Sequence, residues 1–291
     1  IDTTRGINKY LKSDEDEVEA TNEDFVTQVL NGGFKVGNSG VTNGSSETNV
    51  GWTWKKSPAF TNCTWTGSGA NRLISHDLGS IPGMILVKAS GRQSDWNVYH
   101  RGIGNNYYLE LNESNAKDQE GTGGIHTWNN TSPTATTFSL GPSWDVNKDG
   151  IDYVAYLFAH NDGDGEFGPD QNADIIKCGS ISGFNGRAEL GFEPQWVLLK
   201  SSNYDSTNWI ILDVMRGWTP VNSNDDAHLW ANLTTAEANY NGPSFDATGF
   251  NYGQSGDEYI YMAIRRGGMA TPTTPSDVFA IDQGINQTSN G

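Results

Sequence analysis

Two cysteines in 291 residues cannot supply a disulfide framework. Basic residues are also scarce: 18 Lys and Arg stand against 35 Asp and Glu, a formal charge of −17. That balance excludes an electrostatic grip on nucleic acid or on an anionic membrane, and it suits solubility in an extracellular or salty setting. No apolar run approaches the ~18–20 residues that a bilayer-spanning helix needs, so no membrane insertion is expected. No signal peptide is visible, in a chain that opens in the middle of a repeat. Catalytic signatures are missing as well: there is no phosphate loop, no GxSxG and no dinucleotide fingerprint. Ser75, His76 and Asp77 are adjacent on a strand, where neighbours point to opposite faces, so they cannot form a triad. His100, His126, His160 and His228 lack the spacing of a zinc site. The chain is therefore expected not to be an enzyme, although its many carboxylates leave a glycosidase pair open.

What is present is Gly, Asn, Ser, Thr and aromatic residues, with short apolar runs between them, which favours many short strands and tight turns. The chain also repeats itself. GSIPGMILVKASGRQSDWNVYHRG (79–102) returns as GFEPQWVLLKSSNYDSTNWIILDVMRG (191–217), in each case an apolar strand, a polar loop and a second strand opened by a Trp. Upstream, FTNCTWTGSG answers to IIKCGSISGF, so Cys63 and Cys178 share a repeat position. Equivalent sites in successive domains lie farther apart than the ~7 Å Cα limit of a disulfide, and both thiols are read as small buried side chains. Downstream, YYLELN matches AHLWAN, and each unit closes on a strand, DYVAYLFAH or EYIYMAIRR. A partial copy heads the chain: IDTTRG aligns with LDVMRG, and NVGWTWK with the closing strand.

The period is about 105 residues, the size of one sandwich domain. The expectation is an all-β chain of tandem jelly-roll-like (concanavalin-like) antiparallel β-sandwiches. Its parts are the back half of a first repeat (1–56), a second (57–164), a third (165–267) and an extended Pro/Thr-rich tail (268–291). Strands of the second repeat are expected near 60–66, 72–77, 84–89, 96–100, 107–112, 136–140 and 152–159. The unbroken apolar runs at 84–88 and 197–200 predict central strands covered on both faces. Trp96 and Trp209, repeated, are expected to anchor cores. The acidic run after Asp14 and its counterpart at 234–238 are each compatible with a short helical turn.

Two sets of residues stand out as candidate sites. In DVNKDGIDY, Asp145, Asn147, Asp149 and Asp152 match the opening of a calcium loop, with Gly150 at the turn. Position twelve is Tyr156 instead of Glu, and a plain hairpin turn uses the same residue types, so both readings stand. Asp162, Asp164, Glu166 and Asp170 form a weaker second cluster in the linker between repeats. Trp128, Trp144, Trp218 and Trp230 are not echoed at one place in every unit. They suit either sugar stacking or burial against a neighbouring domain or subunit.

The phrases ISHDLGSIPGMILVK, WNVYHRG, YVAYLFAH, IIKCGS, GFEPQWVLLK and YIYMAIRRG together resemble a repeated domain of unknown function in virion proteins of marine bacteriophages, notably those infecting cyanobacteria. The resemblance implies a structural virion protein, a component of a tail fibre, spike or other appendage, without assigned catalytic residues. It also implies other virion proteins as partners, a symmetric homo-oligomer (a trimer foremost) and a host-surface polysaccharide or protein as target. A capsid decoration protein and a carbohydrate-binding or carbohydrate-active sandwich are the alternatives. No cofactor is expected beyond calcium.

Overall fold

The protein is described by a computed structural model covering residues 1–121, 126–166, 170–221 and 225–267. The expected tail, 268–291, lies outside these. In chain order the head carries β1 (Lys9–Tyr10), β2 (Ala20–Thr21), β3 (Val26–Leu30), β4 (Gly33–Val36) and the helical turn α1 (Gly40–Asn43). The second repeat follows with β5 (Phe60–Thr66), β6 (Arg72–Ser75), β7 (Pro82–Ala89), β8 (Asn97–His100), β9 (Tyr107–Glu110), β10 (Asp118–Gln119), β11 (Thr137–Leu140), α2 (Trp144–Asn147) and β12 (Asp152–Ala159). The third has β13 (Ile176–Ser182), β14 (Gly186–Glu189), β15 (Pro194–Ser201), β16 (Ile210–Asp213), β17 (Asp226–Trp230), β18 (Ala238–Tyr240), β19 (Ser244–Asp246), β20 (Gly249–Tyr252) and β21 (Glu258–Arg265).

The fold is all-β, with antiparallel sheets in sandwich-like layers. The second repeat has a six-stranded sheet of order β10-β9-β8-β7-β12-β5, with β6 and β11 paired separately. The third repeats that order strand for strand, β18-β17-β16-β15-β21-β13, beside the smaller sheet β14-β20-β19. Alternation along β15 explains its unbroken apolar run. Val197 and Leu199 point into the third repeat's own core with Phe250 and Ala263, whereas Trp196 and Leu198 enter a cluster shared with the second repeat. The second face of the sheet is thus covered by neighbouring repeats, and Trp52 and Trp54 of the head pack edge-on against Trp196 in the same place.

Two expectations for the head fail, and the helical turn expected at 234–238 fails with them. The segment after Asp14 is extended up to β2, and the stretch before β18 is extended too, so neither acidic-rich segment forms a helical turn. A helix would consume backbone carbonyls internally, and in the head these carbonyls bond to the next repeat. The closing strand expected in NVGWTWK is also absent: 49–55 has no strand partner and holds its place through its two Trp rings.

Sheet register makes the repeats superimposable. Tyr10 pairs with Ala20, Tyr108 with Asp118 and His228 with Ala238, so the loops 11–19, 109–117 and 229–237 are equivalent. On the first loop, Lys12 O accepts the Trp96 indole N–H (2.7 Å), Asp16 O accepts Ser94 N–H (2.9 Å) and the Lys88 ammonium (2.9 Å), and Glu19 N–H donates to Ser90 O (3.2 Å). On the second, Glu110 O accepts the Trp209 indole (2.9 Å), Ser114 O accepts Thr207 N–H (3.1 Å) and Lys200 (3.4 Å), and Lys117 N–H donates to Ser202 O (2.9 Å). One joint is therefore built twice from the same atoms. Both lysines are fully buried, and burial draws each down to about 8.

A second contact links all three repeats in a cycle. The Tyr156 hydroxyl of the second repeat donates to Asp2 of the first (2.7 Å). His100 of the second repeat, neutral because burial lowers it to about 4, donates from Nε2 to Tyr261 O of the third (3.0 Å) while Nδ1 accepts Gly102 N–H. Trp52 of the first repeat donates to Asp213 of the third (3.2 Å). Asp2 and Asp213 are themselves equivalent: each grips the arginine three residues on, and Arg5 and Arg216 reach Glu19 and Glu237 in turn.

Two outcomes follow from burial within these sheets. Burial pushes the Cys63 thiol up to about 12 and that of Cys178 higher still, so neither forms thiolate near pH 8. Ellman's reagent at pH 8 is expected to react slowly with the half-buried Cys63 and not with the buried Cys178 in the folded chain, and to find both thiols after denaturation; rapid reaction of both in the native protein would contradict these positions. Glu110, beside the second joint, is raised to about 7, first by burial and then by Asp95, Asp118, Glu113 and Asp145. Its folded form holds a proton that the unfolded form releases, so its contribution to stability falls as pH rises from about 4.5 to about 7. Glu110→Gln should stabilise the chain by about 1 kcal/mol at pH 8, a value reduced for partial exposure, and change little at pH 4. Thermal melts at both pH values check this, and equal effects at both would refute it.

Candidate functional site

The candidate site is an open hollow of about 370 Å³ lined by Arg92, Ser143, Trp144 and Asp145, where the loop after β7 meets α2. Ser143 caps α2, its hydroxyl accepting Asp145 N–H (3.3 Å). Asn147, fully buried, ties the turn to the 68–70 loop: its Oδ1 accepts Ser68 N–H (2.9 Å) and its amide donates to Ala70 O (2.7 Å) and Gly141 O (2.9 Å). The Trp144 carbonyl is pinned twice, by Arg92 Nη1 (2.6 Å) and the Tyr153 hydroxyl (2.8 Å). With its backbone fixed in this way, the Trp144 ring stands 64% exposed, and the Lys148 ammonium lies 4.5 Å from its centroid. Arg92 sits 3.6 Å from Asp145. An aromatic ring beside a guanidinium and a carboxylate offers a stacking face with donors and acceptors at its rim, the chemistry of polyol recognition.

The four oxygens of the calcium-loop reading are not brought together. Asp145 faces Arg92, Asn147 is committed to backbone groups, Asp149 is exposed and Asp152 accepts the Thr66 hydroxyl (2.6 Å). Among the described residues no group of three or more His, Cys, Asp or Glu is placed to hold a metal ion. The segment is not a hairpin either, because β11 pairs with β6 while β12 pairs with β5 and β7. In the linker, Asp164 accepts the Asn161 amide and Asp162 N–H, both at 3.1 Å, which closes a local turn.

The four tryptophans separate by burial. Trp128 and Trp218 are each 2% exposed: Trp128 packs edge-on against Tyr99, and Trp218 lies against Phe245 with its indole on Pro243 O. They are core residues: no face of either ring reaches solvent, so neither stacks on a sugar, and of the readings offered for them burial inside the protein is what the structure shows. Trp230 is half-buried against His228, and Trp144 alone of the four is exposed.

Sequence reasoning missed the residues that make the joints. Lys88 and Lys200 were visible as a lysine ending both apolar runs, and a charge at the same core position twice signals a shared partner. Asn112 and Asn232 carry a similar signal: within its own repeat, each accepts the backbone N–H of the Trp that opens a strand, Trp96 (2.8 Å) and Trp209 (3.0 Å) respectively.

No curated protein matches the chain. One solved structure, described as "Crystal Structure of the STIV MCP", aligns with 70% of this chain and 95% of its own at 9% identity and a TM-score of 0.21, a likeness too slight to carry an argument. A family model described as "Domain of unknown function (DUF7483)" matches residues 1–266, and the chain belongs to that family.

Proposed function

We propose that the chain is a non-enzymatic structural protein of a bacteriophage virion, part of a tail fibre, spike or similar appendage, and that its Trp144 hollow contributes to attachment at the host surface. The observation that carries this reading is the joint built twice. Repeats are locked to one another by buried hydrogen bonds, so the body is suited to bear load and present surface loops at fixed spacing. A rigid body of this kind, repeated in a symmetric oligomer with other virion proteins, makes weak sites effective through avidity. The target class that fits the hollow is a surface polysaccharide, since one exposed indole flanked by Arg92 and Asp145 supplies stacking and hydrogen bonds without a deep pocket.

The first test is cryo-electron microscopy of the phage particle. Density on the tail with the 143–145 turn outward is the expected result; density on the capsid with that turn against the shell would assign decoration instead, and absence from the particle would end the virion reading. The second test is a glycan screen with Trp144→Ala. Loss of about tenfold in monovalent affinity is expected, with stability unchanged within about 0.5 kcal/mol because the ring is exposed. Unaltered binding by this variant would remove the hollow from the attachment surface.

A further inference from the structure

The loop that receives the joint exists three times, but only two copies are covered. Asp16 and Glu19 in the first, and Ser114 and Lys117 in the second, are half-buried beneath the following repeat. In the third the stretch 233–239 is exposed throughout, Leu233 at 39%. By sheet register, Thr234 stands where Asp16 and Ser114 offer their carbonyls, and Glu237 where Glu19 and Lys117 offer their N–H groups. Glu237 also holds Arg216 as Glu19 holds Arg5, so the loop keeps the side-chain anchor of the first copy.

We propose that loop 229–237 is the docking site for one more hairpin of this same repeat, carrying a Lys and a Trp at the spacing of Lys88 and Trp96. The identity of the occupant follows from the cycle of contacts. The second repeat grips the first, the third grips the second, and through Trp52 the first already grips the third. Continued by one step, the same order sets a counterpart of β7 and β8, seated beside the head, on the third repeat's loop. Its chemistry is set by the two joints present: an ammonium and a backbone N–H for Thr234 O, and a carbonyl for Glu237 N–H. Residues 268–291 contain neither Lys nor Trp and do not match that chemistry. Lys88, Trp96, Lys200 and Trp209 are each engaged within the chain, so a second copy could supply them only by opening its own joints.

The test is to fuse a second copy of residues 57–98 ahead of Ile1, the register at which it continues into Asp2 as Asn97 and Val98 continue toward His100, and to follow amide hydrogen exchange. Exchange at 233–239 should slow at least tenfold, and the melting temperature should rise. Both gains should vanish when the Lys and Trp of the added copy are changed to Ala. Should the fusion not fold, the 57–98 peptide added in trans to the 291-residue chain is to be read at the same amides. Unchanged exchange at 233–239 with a bound or fused hairpin would overturn the proposal. So would protection in the unmodified chain that depends on concentration, which would assign the loop to a second copy. Faster exchange there after truncation at residue 267 would assign it to the tail and overturn the proposal equally.

Discussion

The structure depends on placing two lysine ammonium groups in the seam between sandwiches. A buried ammonium is costly unless carbonyls surround it, and each of these finds them partly on its own loop and partly on the preceding repeat. Lys88 therefore makes the position of Asp16 O a condition of its own burial, as Lys200 does with Ser114 O. Apolar surface alone would let two sandwiches slide, because its attraction has no direction. The ammonium and the indole N–H supply direction, and the seam then has one register. The burial that lowers both lysines to about 8 makes the joint sensitive to alkaline pH in a definite sense. Between about pH 8 and 10.5 the folded lysines lose their protons before the unfolded ones, so the desolvation penalty is relieved as pH rises.

The same requirement explains the conformation of the head. Residues 12–19 carry enough acid and polar side chains to suit a helical turn, yet they remain extended. Tertiary demand for their carbonyls outweighs a local preference worth a few tenths of a kcal/mol per residue. Trp52 and Trp54 likewise hold an extended segment in place without a strand partner, by filling the shared cluster beside Trp196. The head is thus ordered by its neighbours more than by its own pairing.

Much of the fold was legible because sheets have a period of two and turns have chemistry. The strands at 60–66, 82–89, 107–110 and 152–159 lie where alternation and Gly-rich breaks place them. The covered second face of β7 and β15 could be read from their unbroken apolar runs, although the repeats that cover it could not. The candidate site was less legible, because exposure decides it and sequence does not display exposure. Trp128 and Trp144 both stand next to Asn- or Asp-rich turns, yet one packs on Tyr99 and the other stands in solvent. Asp145 and Asn147 alternate as calcium ligands do, but a single helical turn separates their directions and the 68–70 loop claims the amide.

Rigidity at the seams and openness at the Trp144 turn are linked. Arg92 reaches the Trp144 carbonyl from the loop that leaves β7, the strand whose Lys88 enters the joint. The loop between Lys88 and Trp96 is therefore held at both ends by the preceding repeat, and its middle, Arg92, sets the floor of the hollow. The corresponding loop of the third repeat, between Lys200 and Trp209, is held in the same way but has no counterpart of α2 beside it, since β20 runs into β21 through a turn. One scaffold thus carries a helical turn with its hollow on one repeat and a tight turn at the same place on the next. The α2 turn lies outside the seam, so its exposed side chains are free of the demands that fix the lysine and the indole.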